Sequence, residues 1–161
     1  MLEAVIIYSS IFLGKLLYAI AKEEIKEWKR YITSAKNLLI IFISLTLIYL
    51  SPEFKMVISI IIGFILFSFL KNMYLLIGLS ALLSIFTAST IILSSLILLL
   101  SLIYSSLSKF KMKEVIFATL YFALPFILIS LETFIKANFS IFSGLAVGGL
   151  LAQLRARSSA W

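Results

Sequence analysis

Glu132 and Lys136 stand four residues apart in "ISLETFIKANFS" (129–140), inside a stretch from Val115 to Leu154 that carries no other charge. A carboxylate placed four residues before an ammonium is the favourable order for a helical ion pair. Two uses fit these groups. They form a turn where the chain leaves the bilayer, with Asn138 ending that turn or capping the next helix, or they line a charged outer vestibule where Glu132 attracts cations or shuttles protons.

A second group consists of hydroxyls. In "TASTIILSSLILLLSLIYSSLS" (87–108), Thr87, Ser94, Ser101 and Ser108 recur every seven residues, with Thr90 and Ser105 near the same side. On a helix this is one continuous small, polar stripe. It serves close helix packing, with each hydroxyl bonded to its own helix or a neighbour. The alternative is a hydrophilic path, since hydroxyls can replace the hydration of an ion without burying a charge. Lys15 is the third candidate. It lies six residues before Ala21, about 9 Å along a helix from the inner end, within reach of the headgroups for a snorkelling lysine. Glu132, considered as an inward-facing partner, sits towards the opposite face. Together Glu132, Thr87, Thr90, Ser94, Ser101, Ser105 and Lys15 are the candidate transport path.

The missing residue types narrow the chemistry further. The chain has no Cys and no His, and its seven acidic residues are all Glu. Disulfides, thiolate or imidazole metal sites, Ser-His relays and paired aspartates are all excluded. No Gly-rich phosphate loop is present. Neither an enzyme, a cofactor nor a metal is expected.

These candidates must be positioned by membrane helices. At 63% hydrophobic content and a mean hydropathy of +1.18, the 161 residues hold more apolar side chains than a water-soluble core of that size encloses. Apolar runs fall at 1–21, 37–50, 56–70, 73–86, 91–107, 115–131 and 139–154. The predicted fold is all-α, a polytopic helical membrane protein with about seven short spans in a single domain over 1–154. The runs average about 16 residues, roughly 24 Å of helix, against a hydrocarbon core of about 30 Å. A re-entrant hairpin at 56–86 is therefore the alternative to two of the spans. Three spans followed by three more would also allow an inverted repeat.

Orientation follows from Lys and Arg. With the N-terminus outside, the inner loops hold Lys22, Lys26, Lys29, Arg30, Lys36, Lys71, Lys109, Lys111, Lys113, Arg155 and Arg157, and the outer loops only Lys55 and Lys136. Basic loops stay on the cytoplasmic side, so the expectation is N-out and C-in. The net charge of +7 thus describes membrane-flanking loops rather than a nucleic-acid-binding face.

Within the inner loop at 22–36, Ile25, Trp28 and Ile32 share a face opposite Lys26, Lys29 and Arg30, with Tyr31 beside Trp28. An amphipathic helix in the headgroup belt, touching anionic lipid, is predicted. Gly144-x-x-x-Gly148, with Gly149, offers a flat face for helix packing within the chain or between copies. Pro125 frees a backbone carbonyl and predicts a kink. The closing "RSSAW" resembles the linker that precedes an affinity tag, and 155–161 is set aside. The expected function is a small channel or transporter for an ion or small solute in the cell membrane. The alternative is a non-catalytic subunit, scaffold or assembly factor of a larger membrane complex. Lipids, other copies of the chain, or such a complex are the expected partners.

Overall fold

Long apolar runs cannot leave backbone N–H and C=O groups unpaired away from water, and helices satisfy them within each run. In the computed structural model, which describes residues 2–70, 72–87, 90–107 and 112–155, the chain is 93% helical with no strand among the described residues. The order is α1 (Leu2–Ile20), α2 (Lys22–Glu27), α3 (Lys29–Leu50), α4 (Phe54–Leu70), α5 (Met73–Ile85), α6 (Thr90–Ser106), α7 (Met112–Ala123), a 3-10 segment (Leu124–Leu131), α8 (Glu132–Ala137) and α9 (Phe139–Arg155). Three stretches are long and apolar enough to cross a membrane: Leu2–Ile20, Lys29–Leu50 and Met112–Ala137.

Two close pairs organise the bundle. Gly14 of α1 meets Leu102 and Ser105 of α6, while Ser10 bonds Ser101, so the two helices run in the same direction. Gly144 of α9 meets Met56 and Ser59 of α4, and further along Gly149 meets Phe67, so this pair is parallel too. Each seam uses small residues four apart: Ser10 and Gly14 against Ser101 and Ser105, and Ser59 and Gly63 against Ser140, Gly144 and Gly148. That spacing lets backbones approach closely.

α5 lies between them. Every residue from Leu76 to Ser84 is buried, the pattern of a helix enclosed on all sides. With 13 residues it is roughly 20 Å long. It is covered by α6, α7, α9 and the 3-10 segment, and a helix enclosed in this way has no need to match the thickness of a bilayer. The outer helices are the reverse. On α4 only Met56, Ser59, Gly63 and Phe67 are buried, whereas Val57, Ile58, Ile61, Ile62, Ile65, Leu66 and Phe69 are exposed. An apolar outside around a packed inside is what a bilayer requires of a protein.

The end of α4 and the start of α5 both reach α9, since Phe67 and Leu76 flank Gly149. Thus α1, α4, α6 and α9 end at one end of the bundle, where α5 also starts. That is the basic end. Glu53, Ser140 and Lys136 mark the far end.

Two elements differ from the sequence expectation. The segment 22–36 is not one amphipathic helix: α2 stops at Glu27, and Trp28, with ψ near 6°, sends its N–H to the Glu24 and Lys26 carbonyls. Residues from Lys29 onward are already the first turns of α3. The reversal from α1 into α3 has to be made inside this stretch, so one continuous surface helix does not fit. The kink predicted at Pro125 is instead an eight-residue 3-10 segment with Pro125 near its start and buried. Proline removes a donor and crowds the preceding turn. The tighter winding rises about 2.0 Å per residue instead of 1.5, which lengthens the segment by roughly 4 Å.

Candidate functional site

Glu132 and Lys136 form an ion pair of 2.6 Å on α8, with both side chains more than half exposed. Asn138 ends the helix, its amide N–H and its side-chain Nδ2 both donating to the Phe134 carbonyl. Lys136 also lies 5.8 Å from the Phe86 ring, within cation–π range. The pair belongs to the far end, away from Lys15.

The hydroxyl stripe divides between two neighbours. Thr87 donates to the Ser84 carbonyl and Ser94 to the Ser84 hydroxyl, both on α5. Ser101 pairs with Ser10 and donates to the Ile7 carbonyl on α1. Ser105 faces Gly14. Thr90 opens α6, though its side chain, like Ser108, Lys71, Lys109, Lys111 and Arg157, lies outside the described residues. Gly144, Gly148 and Gly149 all sit at helix contacts. Around α2, the exposed rings of Trp28 and Tyr31 lie 5.5 Å apart. Ile25 and Ile32 are half-buried, and Lys26, Lys29 and Arg30 are exposed, Lys26 bonding Glu23 at 3.3 Å.

The basic end holds what the sequence reading did not assemble. Lys15 is fully buried, which overturns the expectation that it snorkels. Its Nζ lies 3.8 Å from Glu114 Oε2 at the start of α7 and 5.9 Å from the Tyr74 ring centroid on α5. Tyr74 in turn packs edge-on against Tyr104 of α6, centroids 5.1 Å apart. Asn72 fixes the base of this wall, its Oδ1 accepting from the amides of Tyr74 and Leu75. That is a strong N-cap on a short helix.

Gly14, the residue before Lys15, lets α6 pack close against α1. Both α5, through Tyr74, and α7, through Glu114, reach the ammonium of α1. Glu114 is the only carboxylate among the described residues that pairs with it, and its side chain is 43% exposed against 0% for Lys15. A second lysine, Lys36 of α3, is also buried. Close to the same end, Asn37 Oδ1 and Gln153 Nε2 are buried without a hydrogen-bond partner. Among the described residues no group of three acidic side chains gathers as a metal site would require.

Alternation of the helices already brings Lys15 and Glu114 to the same end. The sequence offers Glu132 as the one carboxylate at comparable depth and sets it towards the opposite face; Glu114, in the charged loop before the sixth apolar run, is brought to Lys15 only by the packing of α7. No protein-family model, curated protein or solved structure matches the chain.

Proposed function

We propose that this chain is a small integral membrane transporter or channel for an ion or small solute, crossing the bilayer seven times with its N-terminus outside and its basic end inside. The observation that carries this reading is the fully buried Lys15 ammonium facing the half-exposed Glu114. An ionisable group inside a membrane domain is costly, and such groups mark pathways and binding sites more often than packing. The basic end also carries Lys22, Lys26, Lys29, Arg30 and Lys113, which supports placing it in the cytoplasm. The hydroxyls of Ser94, Ser101 and Ser105, lying along the same helix, are the polar groups available to continue a path beyond Lys15.

Proteoliposome flux measured over a small panel of ions and solutes tests the activity, with Lys15→Met as the matched control. Flux in the wild type that Lys15→Met abolishes is the expected result. Sidedness is tested by single cysteines in this Cys-free chain. Positions 29 and 113 should react from inside only, and 54 and 137 from outside only; the opposite accessibility overturns the orientation.

A second reading has its own support. The face of α7 and the 3-10 segment forms an open apolar groove lined by Phe117, Tyr121, Leu124 and Ile127, a seat suited to a helix of another subunit. It favours a non-catalytic subunit or assembly factor of a larger membrane complex. Absence of flux for the whole panel, together with co-purification of a membrane partner, would replace the transport reading with this one.

A further inference from the structure

The groove on α7 and the 3-10 segment has a definite length and a charged end. It is an apolar channel of about 390 Å³ between Phe117, Leu120, Tyr121, Ala123, Leu124 and Ile127. Its backbone rises about 9 Å from Phe117 to Ala123 at about 1.5 Å per residue and about 8 Å more to Ile127 at the 3-10 rise of about 2.0 Å, roughly 17 Å in all. The hydrocarbon of one leaflet is about 15 Å deep, half of a core of about 30 Å. The stretch that carries the groove, Met112–Ala137, is long and apolar enough to cross a membrane. Placed in a bilayer, the groove has the depth of the leaflet at the basic end and closes near the midplane. It continues past α7 because 3-10 winding stacks residues three apart: Leu124, Ile127 and Ser130 are exposed in line, while Pro125 is buried.

Lys113 marks the basic end of the groove. It lies one turn before Phe117, and positions 113, 117, 120 and 124 share one face of the helix. Lys113 is exposed, and no carboxylate pairs with it among the described residues. Glu114, its neighbour, is the partner of Lys15 instead.

We propose that the groove holds one acyl chain of an anionic phospholipid, with the phosphate against Lys113. Two features favour a lipid over the helix of another subunit. A second helix would follow the whole of Met112–Ala137, whereas the groove ends at Ile127, one leaflet deep. It would also have no use for a cation at one end only. The headgroup has to be anionic, because phosphatidylcholine carries its own cation beside the phosphate and leaves Lys113 little to neutralise. Lys22, Lys26, Lys29 and Arg30 at the same end draw anionic lipid to that leaflet. The assignment rests on the membrane placement proposed above and is independent of transport.

The test is native mass spectrometry of the purified full chain, delipidated and then offered equal amounts of phosphatidylglycerol and phosphatidylcholine in mixed micelles. Wild type should retain phosphatidylglycerol in about fivefold preference, the factor that one lysine contributes near an anionic surface. Lys113→Gln should bring the two lipids to parity. Ala123→Trp fills the groove from an exposed position and should lose the retained lipid, whereas Ile61→Trp on the exposed face of α4 should keep it. Parity in wild type, or a preference undiminished in Lys113→Gln, overturns the site. Equal retention in Ala123→Trp and Ile61→Trp overturns it too, because the lipid is then a general coat. A membrane polypeptide retained in place of lipid and released by Ala123→Trp gives the groove to a subunit and likewise overturns the proposal. Should Ala123→Trp fail to fold, wild type against Lys113→Gln still decides. Retention of the lipid without flux of any solute keeps this site and removes transport. Flux with no lipid preference keeps transport and removes the site.

Discussion

The α1–α6 and α4–α9 pairs are built by one device and differ in what stands beside it. Both are parallel, and both bring small residues four apart to face small residues four apart. In α4–α9 the contact is backbone on backbone, its polar groups settled locally: Ser59 and Ser143 bond within their own helices, and Ser140 donates to Glu53 at the far end. In α1–α6 the hydroxyls reach across, Ser101 to both Ser10 and the Ile7 carbonyl, and Lys15 follows directly after the pivotal glycine. A small-residue seam is thus neutral about function. What makes the first pair a candidate site is the ammonium that its closeness traps.

The largest effect should come from the backbone seam. A Cβ on Gly148 would stand 2.6 Å from the Phe64 amide nitrogen and nearer still to the Ile60 carbonyl, atoms that cannot move without shifting a helix. Gly148→Ala should therefore destabilise by about 1–3 kcal/mol, and Gly148→Leu should prevent recovery of folded protein. Gly149 is the internal control. The atoms nearest its Cβ would be side-chain atoms of Leu76 and Phe67 rather than backbone, so Gly149→Ala should lie at or below the low end of that range. Thermal denaturation of the two variants compares them directly, and equal losses would break the distinction between rigid and yielding neighbours.

Next comes the contrast between a trapped charge and an open one. Removing one member of a buried ion pair destabilises strongly when it leaves the other charge buried and uncompensated, but the group left behind here, Glu114, is 43% exposed and open to water. Lys15→Met should keep or raise the melting temperature while removing activity. Lys136→Met takes away an exposed pair, worth about 0.2–1 kcal/mol, and should leave any flux intact. If Lys15→Met unfolds the protein, the lysine is a structural element of the α1–α6 seam rather than part of a site beside it.

The smallest effect belongs to the hydroxyls. Interhelical bonds of this kind average about 0.6 kcal/mol in membranes, so Ser101→Ala should barely alter stability. Measuring flux and melting temperature together on Ser101→Ala, Ser101→Val and Ser101→Leu sharpens the comparison. Flux that changes only when stability does assigns Ser101 to packing; flux lost in a stable Ser101→Val assigns it to the path.

Composition and periodicity by themselves determined that the chain is all-helical, with stretches long and apolar enough to cross a membrane. They also placed the helices to within a few residues, apart from the start of α3, which at Lys29 lies eight residues before its apolar run, because unbroken apolar runs between charged breaks leave the backbone no other solution. The ion pair of Glu132 and Lys136 was equally legible, since both partners lie on one turn of helix and no other element is needed to join them. What the sequence could not decide was the fate of any group whose neighbours are distant along the chain. Lys15 reads as a snorkelling lysine from its depth alone. It becomes a buried cation only when Gly14 admits α6, α5 brings Tyr74, and the first turn of α7 brings Glu114. The hydroxyl stripe reads as one surface by its seven-residue period, yet its upper part meets α5 and its lower part α1. Periodicity fixes which side chains share a face. Which helix covers that face depends on contacts between segments far apart in sequence, and only their packing in three dimensions decides it.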